Sequence, residues 1–179
     1  MGLDSVEFAL AIEDAFEINL PEEDVVGLVT PRLLIDYLQK KLPVASAECC
    51  LDQVSFYALR SAGVKVLGKP EKAFRPDTPW AELIPEKSRR KDWKALGAAV
   101  GATKWPRIKM FGAFPGDSRT VGDTARFIST KCPIRVVKRG QVWTRKQITE
   151  VVTRLLASEF LITEAFNLDD RFVQDLGLE

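Results

Sequence analysis

The chain contains no histidine. That absence excludes Ser-His-Asp and Cys-His nucleophile systems, His-Glu-x-x-His zinc sites and imidazole proton shuttles, and with them much of hydrolase chemistry. Cysteine is nearly as scarce: Cys49, Cys50 and Cys132 lack the Cys-x-x-Cys spacing of a structural zinc site and are too few for a disulfide framework. They read as reduced thiols. No apolar run approaches the roughly 20 residues of a membrane span. The opening Met1-Gly2-Leu3-Asp4 has neither a charged start nor a cleavable apolar segment. These absences predict a cytoplasmic protein without a membrane partner.

What is present is ordinary for a folded protein: 179 residues, 46% hydrophobic and 28% charged, enough for one large domain or two small ones. The net charge of +1 conceals an uneven distribution. Residues 1–43 carry nine acidic and three basic side chains, residues 44–140 nine and nineteen, and residues 141–179 seven and four. The order is acidic, basic, acidic, which separates two kinds of unit and allows docking to partners of opposite charge. Lys87, Arg89, Arg90, Lys91 and Lys94 read as a solvated helix face. No nucleic-acid-binding fold signature accompanies them, so no nucleic-acid partner is expected.

Helical periodicity dominates. Apolar residues from Val6 to Phe16, interspersed with Glu7, Glu13, Asp14 and Glu17, predict a helix over 5–17 capped by Asp4 or Ser5. Pro21 opens a short acidic turn, and Thr30-Pro31 reads as cap and first position of a helix ending before Pro43. A further helix stops near Gly68, and a turn-rich loop runs from Phe74 to Trp80. Ser88 is expected to cap a basic helix through Trp93, Leu96 and Val100, and Thr120 to cap one containing Ala125 and Ile128. Residues 131–142, with Ile134, Val136 and Val137 among charges, read as a linker or a short strand, the linker being preferred. A long helix then runs from about Thr144 to Phe160, followed by an acidic loop from Asn167 to Gly177. Trp80, Trp93, Trp105 and Trp143 read as packing anchors, and Asp169, Asp170 and Asp175 as surface charge. The fold class is all-α.

Gly2-Leu3-Asp4-Ser5-Val6-Glu7-Phe8, with the helix to Phe16, Ile18-Asn19-Leu20-Pro21-Glu22-Glu23-Asp24 and residues 30–38, resembles helices two to four of an acyl carrier protein. The helix from Thr144 and the loop ending Phe172-Val173-Gln174-Asp175-Leu176-Gly177-Leu178-Glu179 resemble that family's first helix and the approach to its modification site. The resemblance implies a four-helix carrier bundle in circularly permuted order, with residues 1–43 and 143–179 as its two parts. Residues 44–142 resemble a degenerate, basic second copy through Arg75-Pro76-Asp77-Thr78-Pro79-Trp80-Ala81-Glu82-Leu83 and Thr120-Val121-Gly122-Asp123.

Such a resemblance implies a carrier, not an enzyme, bearing 4′-phosphopantetheine on a serine at a helix head. Gly2-Leu3-Asp4-Ser5 matches the family's Gly-x-Asp-Ser signature, so Ser5 is the implied attachment point with Asp4 beside it. Counting back from Phe16 and Pro21 without a gap places the modified position near Gly2 instead, a register in which the serine is missing. The implied partners are a phosphopantetheinyl transferase and acyl-transferring or condensing enzymes, met by Glu7, Glu13, Asp14 and Glu17 facing outward. An unmodified interaction or self-assembly module is the other reading, with half-domains exchanged between neighbouring chains as one route to self-association.

Overall fold

The computed structural model describes residues 2–43, 49–109, 112–133, 143–160, 162 and 165–178. Among them are eight α-helices: α1 (Leu3–Phe16), α2 (Glu22–Val25), α3 (Pro31–Lys41), α4 (Leu51–Leu67), α5 (Trp80–Leu83), α6 (Arg89–Val100), α7 (Val121–Lys131) and α8 (Arg145–Glu159). No strand is found among the described residues, and the fold is all-α. No described helix is long and apolar enough to cross a membrane. The expected linker falls largely on 134–142, outside the described residues. The chain divides into two units, one of residues 2–43 with 143–178, the other of residues 49–133.

In the first unit, α8 is long enough to bury Ile148, Val151, Val152, Leu155 and Leu156 along one face. It packs on both α1 and α3. Their contributions are Phe8, Ile12 and Phe16 from α1, with Leu34, Ile35 and Leu38 from α3. Thr30 and Thr144 cap α3 and α8 as their sequences require, the latter in a full capping box with Gln147. Trp143 stacks near Phe16 with ring centroids 4.8 Å apart, and its amide donates to the Pro43 carbonyl at 2.8 Å. The tail then returns over α1 and α3. The Arg32 amide donates to Leu168 O at 2.9 Å, the Phe172 amide to Val29 O at 3.0 Å, and the Phe172 ring lies 5.3 Å from that of Phe8.

In the second unit, α4 packs against α6 and α7 around an aromatic core. Trp80 is fully buried, its Nε1 donates to Thr124 Oγ1 at 2.8 Å, and its ring meets Trp93 edge-on at 5.3 Å. Trp93 in turn donates to Pro106 O at 2.6 Å, fixing residues 104–109 beside α6. Gly97 is needed there: a Cβ at that position would sit 2.6 Å from the Trp105 ring. Thr120 and Asp123 form the capping box that starts α7. Gly68 and Gly101, both at positive φ, end α4 and α6.

Two expected caps are corrected. Ser88 precedes α6 but makes no capping bond, because it leaves a 3-10 turn with φ −108° and ψ 0° rather than extended backbone. Neither Asp4 nor Ser5 caps α1: the helix begins two residues earlier than the periodicity predicts, with Gly2 in the N-cap position.

Candidate functional site

Leu3, Asp4 and Ser5 occupy the first three positions of α1, so the serine lies within the opening turn. Its hydroxyl is half-buried and donates to the Leu178 carbonyl at 3.1 Å. The amides of that turn have no intrahelical acceptor and carry the positive end of the helix dipole. Asp4 and Glu7 are exposed beside it and line a polar cleft with Glu159 and Leu176.

Behind Ser5 is an apolar cavity of about 280 Å³. Its walls come from α1 (Phe8, Ala9, Ile12), from α2 and the residues after it (Val25, Val26, Val29), from Leu34 of α3 and from Phe172, Val173 and Leu178 of the tail. Ser5 and Gln174 are its only side chains with hydrogen-bonding groups. The volume falls just below the usual range of ligand pockets, about 300–1,000 Å³, and the lining suits an aliphatic chain. Local periodicity identifies the α1 and α3 walls, whereas Phe172 and Val173 belong to an irregular loop that no helical pattern places. An exposed run of apolar residues at Leu3, Val6 and Leu10 lies along the outer surface of α1.

The four acidic residues expected to face outward do not behave alike. Glu7, Asp14 and Glu17 are exposed. Glu13 is half-buried and its carboxylate accepts from the Leu20 amide at 2.7 Å. It therefore holds the loop after α1 rather than standing free for a partner. Glu17 ends the helix in the left-handed region at φ 50°, the one non-glycine residue at positive φ among those described.

The tail is fastened by ion pairs. Arg32 binds Asp169 through two nitrogens, and Arg171 binds Asp175, whose carboxylate also accepts from the Arg171 amide at 2.8 Å. Asp170 accepts from the Asn167 amide at 2.7 Å. The expected surface carboxylates thus organise their own loop. The Arg32 hydrogen bonds hold Asp169 below the ordinary carboxylate range, and Arg171 does the same for Asp175. A depressed native value means that this contribution is complete above the unfolded value of about 3.9 and is lost as pH falls through the native one. Arg32→Ala is expected to raise the Asp169 midpoint toward the ordinary value, read by NMR titration of its carboxyl carbon. An unchanged midpoint would show that the pair has no influence in solution.

No family model matches the chain, and no solved structure matches it. Over 39 residues it is 41% identical to the acyl carrier protein of Syntrophobacter fumaroxidans. That stretch is 22% of this chain and 48% of the relative, so the chain spans about half of that relative's length. The similarity supports a relationship with carrier proteins over a limited segment.

Proposed function

We propose that the first unit is an acyl-carrier-like module, assembled in permuted order from residues 1–43 and 143–179, with residues 44–142 as a degenerate second copy. Ser5 is its attachment point for 4′-phosphopantetheine, which would supply a thiol to hold an acyl group as a thioester. The observation carrying this reading is the apolar cavity reached from Ser5. An arm on this hydroxyl starts at the cavity wall, where an acyl chain is shielded from water. The free amides of the first turn favour a phosphodiester at that end of α1. Glu7, Asp14 and Glu17 present carboxylates to a basic surface on the transferase or on acyl-transferring enzymes. Loading replaces the hydroxyl proton of Ser5 with phosphorus, so the hydrogen bond to Leu178 O is lost.

Intact-mass measurement after incubation with a phosphopantetheinyl transferase and coenzyme A tests the assignment. The expected result is one added phosphopantetheine, abolished in Ser5→Ala. No addition, or an addition that survives the substitution, rejects it.

A second reading is favoured by Gly2 standing in the N-cap position and by the engagement of Ser5 with Leu178. In that reading the helix head has lost its serine and the module acts without an arm, through its charged surfaces. The same mass measurement separates the two.

A further inference from the structure

The outer face of α6 has no role in the reading above. Its buried positions, Trp93, Leu96 and Gly97 with half-buried Val100, repeat the spacing of Phe8, Ala11, Ile12 and Ala15 in α1. The two helices thus present corresponding outer faces of opposite character. On α1 that face carries Leu3, Val6 and Leu10, at 73%, 42% and 52% exposure, with Asp4, Glu7 and Asp14. On α6 it carries Arg90, Lys91 and Lys94 followed by Ala95, Ala98 and Ala99, all exposed.

Helix stability does not account for these cations. Three basic residues stand in the first turn of α6, where the dipole disfavours positive charge, and none in its last turn. Residues 104–109, tied to α6 through Trp93, add exposed Arg107 and Lys109 to the same end. Lys91, Lys94, Arg107 and Lys109 form no ion pair with any described residue. The neighbouring aromatics Trp80, Trp105 and Phe114 pack edge-on or tilted against the buried Trp93, so none of them is an open platform for bases. An acidic helix is the better match.

We infer that the α6 face receives α1 from a second copy of this chain, the two helices packing antiparallel. Large apolar side chains then meet small ones. With Leu10 over Ala95, the antiparallel register brings Val6 to Ala99 and Asp14 to Lys91, and leaves Glu17, just past the end of α1, one residue off the level of Lys87. Alanines on one helix let the other approach closely, and the acidic C-terminal end of α1 meets the basic N-terminal end of α6. A contact of one helix width is weak and strongly salt-dependent. This inference is independent of whether Ser5 is modified.

Sedimentation equilibrium of the full chain tests it. At an ionic strength of about 0.01 M the average mass is expected to rise with concentration, and at about 0.5 M to return to that of the monomer. R90E/K91E/K94E and, separately, D14K/E17K are each expected to weaken association at least about tenfold. Mixing the two variants restores it, because each supplies the charge the other now requires; this recovery also shows that both are folded. A monomer at every concentration in low salt overturns the inference. So does association that survives both reversals, or binding of an RNA homopolymer that R90E/K91E/K94E abolishes while the protein stays monomeric.

Discussion

A chain ending at residue 142 is expected to lose the folded state of residues 2–43 while residues 49–133 keep theirs. Ile148, Val151, Val152, Leu155 and Leu156 are each no more than 1% exposed in the intact protein. Burying a large aliphatic side chain contributes about 1.5–3 kcal/mol, so these five together supply roughly 8–15 kcal/mol as an upper estimate. That matches the whole net stability of a typical domain, about 5–15 kcal/mol. The remaining α1 and α3 would leave Phe8, Ile12, Ile35 and Leu38 without a covering layer. Amide NMR spectra report the outcome: collapsed dispersion for residues 2–43 with native shifts for the other unit is expected. Native shifts throughout would mean that α1 to α3 form a sufficient core alone.

The second large effect lies in the other unit. Trp80→Ala removes a fully buried indole from between α7 and Trp93 and is expected to destabilise that unit by about 3–5 kcal/mol. Trp80→Phe is expected to cost much less, on the order of 1–2 kcal/mol, the lost hydrogen bond accounting for about 1. The difference has a structural reason. Thr124, the indole's acceptor, also donates to the Thr120 carbonyl at 3.2 Å, so the phenylalanine variant strands no polar atom. Urea denaturation followed by circular dichroism gives both values. Equal losses for the two variants would shift the weight from ring packing to the hydrogen bond.

The helices were legible because their signals are local. Thr30-Pro31 and Thr120 place a hydroxyl on extended backbone immediately before an apolar repeat, and each caps as expected; Thr144, read only as the approximate start of its helix, caps α8 with Gln147. Ser88 misled because it leaves a 3-10 turn, where its backbone does not adopt capping geometry. Ser5 misled for another reason: its hydroxyl is drawn away by Leu178, more than 170 positions along the chain, and Gly2 takes the cap position. Glu13 resembles its exposed acidic neighbours in sequence, yet the fold turns it toward the Leu20 amide. The cavity was the least legible part. One part of its wall depends on Phe172, Val173 and Leu178 returning from a loop without periodicity.

The arrangement of the first unit also governs its biogenesis. Residues 49–133 form a contiguous unit and can fold as soon as they leave the ribosome. Residues 2–43 must wait for α8, about 100 residues later, which at about 5–20 residues per second is a delay of roughly 5–20 s. During that interval the inner faces of α1 and α3 are water-exposed and open to capture by other nascent chains or by chaperones. Closing so long a loop costs more entropy than a local contact and slows the final step further. The inner faces of α1 and α3 are therefore open to such capture until α8 has been synthesised.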